Sequence, residues 1–148
     1  MNPPQGDETL WMNSDLGLGE QRMRGAQKAS HEWLVHVDAD GYYPPDYVEK
    51  VRVAIASGKY PDGFFCQRGG RPYVTYGEAG LVVRRDLFLE RTEKFFPDHR
   101  LDVSSLFYDL PIEKNIIYEH RLTTSEQNVL FLMGIMGLGS AMVYVSVR

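Results

Sequence analysis

Apolar positions fall in short blocks separated by polar turns, and the spacing inside each block says which element it builds. Over 18–29, Leu18, Met23, Ala26 and Ala29 share one side and charges occupy another, which predicts a helix. The run Trp33-Leu34-Val35-His36-Val37 is largely apolar, as in a strand covered on both faces of a sheet. Over 46–57, Tyr47, Val48, Val51, Ala54 and Ile55 recur at helical spacing, with a stop at Gly58. Phe64-Phe65-Cys66 and Leu81-Val82-Val83 predict short buried strands, with a turn at Gly69-Gly70-Arg71-Pro72 between them. A short helix is expected over 85–91 and another over 103–110, halted by Pro111. Asn115-Ile116-Ile117-Tyr118-Glu119 predicts a further strand that ends at His120, and residues 1–8, with Pro3, Pro4 and Gly6, predict a loop. Strand alternating with helix argues for an α/β layered fold.

The C-terminal run over 129–147 breaks this rhythm. It carries no charge and includes Gly134, Gly137 and Gly139. It just reaches the length of a membrane-spanning helix, about 20 residues, and its glycines suit one. Val143-Tyr144-Val145-Ser146-Val147 instead alternates like a strand, so a core element is the other reading. The expected organisation is a catalytic-type domain over 1–125 and a hydrophobic segment over 126–148, whose two readings stay open.

Composition narrows the class. A length of 148 residues with 43% hydrophobic and 24% charged residues gives one domain with a real core. The net charge of −4 supplies no basic field for nucleic acid. The single Cys66 cannot close an internal disulfide and reads as a small buried hydrophobe. The first residues hold no apolar run of the signal-peptide kind, so the expectation is a cytoplasmic protein, membrane-associated if 129–147 spans.

The chemistry centres on Asp38-Ala39-Asp40, which ends the apolar strand and is followed by Gly41. Two carboxylates at a strand end offer hard oxygen ligands to Mg²⁺ or Mn²⁺, cations that suit a diphosphate. The plain alternative is a solvated turn in which Asp38 caps the backbone.

The surrounding order supports the first reading. Gly17-Leu18-Gly19, then Gln21-Arg22-Met23-Arg24-Gly25, Ala29 and Glu32 lead into the strand and its carboxylates, and Pro44-Pro45-Asp46-Tyr47 comes next. This stretch resembles the inverting family-two glycosyltransferases of GT-A fold, with their "A-R-N-x-G" helix and "G-E-[WY]-strand-D-x-D". Met23 stands where the family has Asn, and His31 where it has Gly. Asp7-Glu8-Thr9 resembles the family's "D-G-S-x-D-x-T" region. The usual first strand, "V-S-V-I-I-P-x-Y-N", has no counterpart. The resemblance therefore implies an α/β, GT-A-like (Rossmann-like) sheet with helices on both faces, lacking its N-terminal βα unit.

What the resemblance implies for the site is specific. Asp40 is the first metal ligand, Asp38 contacts the ribose or the metal, and His120, after a late strand, is a third ligand. Asp7 and Arg22 belong to the nucleotide-sugar pocket. Leu101-Asp102-Val103 resembles the family's "E-D-V-D" segment, which makes Asp102 the catalytic base; an Asp just before a helix is also an ordinary N-cap. The implied cofactor is Mn²⁺ or Mg²⁺. The implied partners are a nucleotide-sugar donor and a saccharide, lipid or protein acceptor. From residue type alone, Arg84 and Arg85 are further candidates for a diphosphate. Tyr42, Tyr43 and Tyr47 offer rings to a sugar or to the core. Two other functions compete. The sequence Val35–Gly41 also resembles the haloacid-dehalogenase motif, in which Asp38 would be a nucleophile, but Tyr42 breaks that pattern and no later acidic pair appears. A non-catalytic remnant that only binds a partner is the other.

Overall fold

In the computed structural model the described residues are 6–14, 18–38, 41–69, 78–94, 103–120 and 140–147. They form β1 (Glu8–Ser14), α1 (Leu18–Lys28), β2 (Trp33–Asp38), β3 (Gly41–Tyr42), α2 (Tyr47–Ala56), β4 (Gly63–Arg68), β5 (Leu81–Arg84), α3 (Arg85–Lys94), β6 (Ile112–His120) and β7 (Ser140–Val147). Short 3-10 turns lie at Glu78–Gly80 and Val103–Phe107. The strands make one sheet in the order β1-β7-β2-β5-β4-β6-β3. Only the β4–β6 pairing is parallel; the other neighbours run antiparallel.

Period-two alternation divides the core into two layers. Trp33, Val35 and Val37 of β2, Phe64 and Cys66 of β4 and Val82 of β5 face one way, onto Tyr47, Val48 and Val51 of α2. Leu34, Phe65, Leu81 and Val83 face the other way, onto Ala26 and Ala29 and onto Phe88 of α3. With helices on both sides, β2, β4 and β5 have no solvent face. That is why they read as continuous apolar runs. Each of these large side chains contributes about 1.5–3 kcal/mol by leaving water. The α/β layered fold expected from the alternation of elements is thus the observed one.

The second half of the C-terminal apolar run is sheet. β7 pairs with β1 from Glu8↔Ser146 to Ser14↔Ser140, and with β2 from Trp33↔Val147 to Asp38↔Met142. Val147 is fully buried in the layer that faces α2. The spanning-helix expectation is corrected for 140–147, because strand partners on both edges take the backbone hydrogen bonds that a membrane helix would satisfy internally. Residues 129–139 lie outside the described residues. Among the described residues, no helix is long and apolar enough to cross a membrane.

Smaller differences have local causes. The loop expected over 1–8 gives way to β1 at Glu8, an edge strand whose mixed residues carry no alternation of their own and are ordered by β7. Asp46 sits at the N-cap of α2 without a side-chain cap bond and pairs instead with Lys50 at 3.2 Å. The helix expected over 85–91 extends to Lys94, held by a Lys94–Glu90 pair at 3.1 Å. The segment expected as helix over 103–110 is a 3-10 turn that ends at Phe107, tied to α3 by the bidentate contact of Arg91 with Asp109 at 2.6 and 2.9 Å.

Candidate functional site

The site forms where β2 ends. Its apolar stretch is fixed by the two core layers, so the first residue past it, Asp38, emerges at the sheet end with a third of its side chain exposed. From α1, Arg22 reaches Asp38: its guanidinium Nη2 donates to Asp38 Oδ1 at 2.7 Å. Arg22 itself is fully buried. A long cation on a helix expected to show Met23, Ala26 and Ala29 to the core is thus drawn inward as well, and the carboxylate at the strand end is what balances it.

Asp38 is held a second time, through its main chain. Its N–H donates to the Tyr43 hydroxyl at 3.1 Å, and that hydroxyl donates to the Ala79 carbonyl at 2.9 Å. The Tyr43 ring stacks on Tyr118 at 5.5 Å and meets Tyr47 edge-on at 4.9 Å. Two glycines permit this. A Cβ on Gly41 would lie 2.7 Å from the Tyr43 ring, and one on Gly80 would lie 2.5 Å from Tyr118 and 2.8 Å from the Cys66 carbonyl. Burial above all, and then the negative charge of Asp38, raises the Tyr43 phenol well above its ordinary range, so it stays protonated. Burial likewise pushes the Cys66 thiol up to about 12, which fits the inert packing role read from its isolation.

The opposite layer carries a second polar group beside Arg22. His36 is fully buried, its ring 4.9 Å from Phe88. Its Nδ1 lies 3.0 Å from the Leu81 carbonyl, and since a carbonyl only accepts, that nitrogen carries the proton. Burial first, and then the charge of Arg22, lowers its pKa from 6.5 to about 3. Below pH 6.5 the unfolded chain therefore takes up a proton that the folded chain refuses. The stability this group contributes is complete above about pH 6.5 and is lost as pH falls toward 3, with a slope of about 1.4 kcal/mol per pH unit. Melting midpoints between pH 7 and pH 4 check this. His36→Gln, which keeps a donor for Leu81 but cannot titrate, is expected to flatten that part of the curve. Equal slopes for the two proteins would remove His36 from the acid response.

The sequence candidates separate sharply by place. Arg22 and Asp38 are together. β3 brings in a third: Gly41 pairs with His120 of β6, so the His120 backbone lies across from the residue that comes after Asp40. Asp40 and Asp102 lie outside the described residues. Asp7 does not join this group. Glu8 is level with Ser146, and Ser146 with Leu34, which places Asp7 at the beginning of β2. At a rise of about 3.3 Å per residue, that is about 13 Å or more from Asp38 along the strand. Asp7 pairs there with Arg52 of α2 at 3.1 Å. Arg84 and Arg85 are corrected in the same way. Arg84 pairs across the sheet with Trp33, at the far end of β2, and its side chain bonds Asp86 at 2.6 Å. Arg85 donates to the Ala26 and Gln27 carbonyls. Of the three tyrosines, Tyr47 is core, Tyr43 is the clamp just described, and Tyr42 is exposed. The role of Tyr43 carried no signal beyond an aromatic near the carboxylates. Among the described residues, no three His, Cys, Asp or Glu side chains cluster closely enough to hold a metal. A cleft of about 510 Å³ between α2 and β6, lined by Val53, Ala54, Tyr60 and Ile116, lies apart from this site.

Comparison with known proteins places the chain in a family. Residues 9–102 match the family model described as Glycosyl transferase family 2. No curated protein and no solved structure matches the chain significantly. The matched stretch covers more than half of the sequence and takes in the Arg22 helix, the strand that ends in Asp38 and the segment that reaches Asp102, and the chain belongs to glycosyl transferase family 2.

Proposed function

We propose that this chain transfers a sugar from a nucleotide-diphosphate donor to an acceptor hydroxyl with inversion, assisted by Mn²⁺ or Mg²⁺. The observation that carries the reading is Asp38 at the end of a fully buried strand, bonded to a buried Arg22 inside the matched family region. The residue types suit a hard divalent cation. Asp38 is already balanced by Arg22, so the stronger demand for a cation falls on Asp40, with Asp38 and His120 as further ligands; Gly41↔His120 pairing supports the last. When bound, the cation supplies Lewis-acid neutralisation of the diphosphate leaving group.

The protein's own groups do the rest. Arg22 fixes the orientation of the Asp38 carboxylate, which then accepts hydrogen bonds from the donor ribose or shares the cation. Asp102 takes the proton from the acceptor hydroxyl as it attacks. Inversion would follow from a single displacement at the anomeric carbon, the hydroxyl attacking from the face opposite the diphosphate.

Calorimetric titration of UDP and GDP, with and without Mn²⁺, tests the reading. Wild type is expected to bind at least one of them in a metal-dependent way. Asp40→Ala should weaken that binding by at least about tenfold, since even an outer-shell partner of a metal typically costs 10–100-fold. Equal affinity of Asp40→Ala and wild type in the presence of Mn²⁺ would take Asp40 out of the metal site. Absence of nucleoside diphosphate release from every nucleotide-sugar of a panel would end the transferase reading.

A further inference from the structure

We propose that Tyr43 is a positioning residue for Asp38: its hydroxyl ties the last peptide of β2 to the 3-10 turn at Glu78–Gly80 and so sets the direction in which Asp38 leaves the sheet. The functional part of this inference rests on the nucleotide-sugar reading above.

Geometry supports it at three points. One hydroxyl serves both partners, accepting from Asp38 N–H at 3.1 Å and donating to Ala79 O at 2.9 Å. Only a neutral phenol can do both, since a phenolate has no proton to give Ala79. The ring that carries the hydroxyl is not free to swing. Tyr118 stacks on it at 5.5 Å with an interplanar angle of 9°, and Tyr47 closes its edge. The two anchor points are themselves close-packed. Gly41 leaves room for the Tyr43 ring, and Gly80 lets the 3-10 turn sit against Tyr118 and the Cys66 carbonyl.

The combination is what gives the clamp its purpose. Arg22 holds Asp38 by its side chain, and Tyr43 holds it by its main chain. A carboxylate constrained at only one of these would keep its charge but could rotate about the other. Groups that bind a diphosphate or its cation work best when oriented before the ligand arrives. The clamp also links the end of β2 to a segment more than thirty residues later, through a bond that sequence spacing alone does not reveal.

Tyr43→Phe removes the hydroxyl and keeps the ring. Two readouts are taken. The first is amide hydrogen exchange. In Tyr43→Phe, exchange at the Asp38 amide is expected to accelerate while the amides of Leu34 and Val35 keep their protection. The second is Mn²⁺-dependent UDP and GDP binding by calorimetry, well below the melting midpoint. Tyr43→Phe, which loses both hydrogen bonds of the hydroxyl, is expected to bind roughly 3- to 10-fold more weakly, since only the loosening of Asp38 reaches the ligand and the net worth of a hydrogen bond corresponds to a factor of this size. The same change in an Asp38→Asn background is expected to add little, because Tyr43 acts through Asp38. Unchanged Asp38 exchange, unchanged affinity, or a loss that simply adds to that of Asp38→Asn would each overturn the proposal. If wild type binds neither nucleotide, the transferase reading has failed separately. The Asp38 amide then decides the clamp: accelerated exchange upholds it, and unchanged exchange overturns it.

Discussion

Asp102→Asn is expected to lower sugar transfer by about 10²–10⁴-fold, the usual cost of losing a general base, while nucleoside diphosphate affinity and the melting midpoint change little. The separation comes from the chemistry of the substitution. Asparagine keeps the size of aspartate and caps a helix end about as well, but its carboxamide cannot take a proton near neutral pH. The segment on the C-terminal side of Asp102 is firmly anchored. Val103, Ser104 and Phe107 are buried, Phe107 stacks on Phe88 at 5.5 Å, and Arg91 donates to the Leu106 carbonyl at 2.8 Å while it pairs with Asp109. The substitution therefore has a rigid neighbour that holds the fold while the chemistry is removed. Initial rates and a binding titration on the same sample distinguish the two effects. Turnover near that of wild type would show that Asp102 serves only as a cap, and a parallel collapse of binding and turnover would show that it shapes the donor pocket instead.

How much was legible in the sequence depends on the kind of contact. β2, β4 and β5 are legible because both faces are covered, which leaves continuous apolar runs of strand length. α2 is legible because its buried positions keep helical spacing. The site is legible as residue types in order, and Arg22 and Asp38 do meet. What residue order does not carry is strand direction. β5 runs antiparallel to β2, so Arg84 lands beside Trp33 instead of beside Asp38. β1 reaches β2 only through β7, in a register that sets Asp7 at the wrong end for the carboxylates. Both displacements are consequences of pairings between distant segments, which no local pattern encodes. Tyr43 is legible only as a ring beside the carboxylates, for a related reason. Its hydroxyl gains a role only once Ala79 is folded against the end of β2. His36 stands in the sequence only as one position of the largely apolar run of β2, and its burial beside Arg22 is a consequence of the covering of both sheet faces.

Ending the chain at Gly139 is expected to abolish cooperative folding. The cut removes β7, which lies between β1 and β2 and pairs along its length with both. Loss of an edge strand would trim a sheet; loss of this one divides it. β1 would have no partner among the described strands, β2 would present an open edge along Trp33–Asp38, and Val147 would vanish from the layer beneath α2. Each ladder hydrogen bond contributes about 1 kcal/mol net, and a domain of this size holds only about 5–15 kcal/mol in all. The deficit is of the order of the whole stability. The exposed β2 edge, apolar on both faces, should also drive aggregation. Val145→Pro tests the same point without shortening the chain. Val145 pairs with Thr9 on one side and Val35 on the other, and proline in a central strand removes a donor and clashes with the ladder. A membrane-spanning segment predicts the reverse pattern. The shortened chain would then keep its fold and lose only its flotation with liposomes, and the proline would kink a lipid-facing helix with little effect on the rest. Thermal melting by circular dichroism, paired with flotation of the full chain, separates the two accounts. An unchanged melting midpoint after the cut at Gly139 would show that the sheet does not need β7, and with it would fall the placement of Ser140–Val147 in the core.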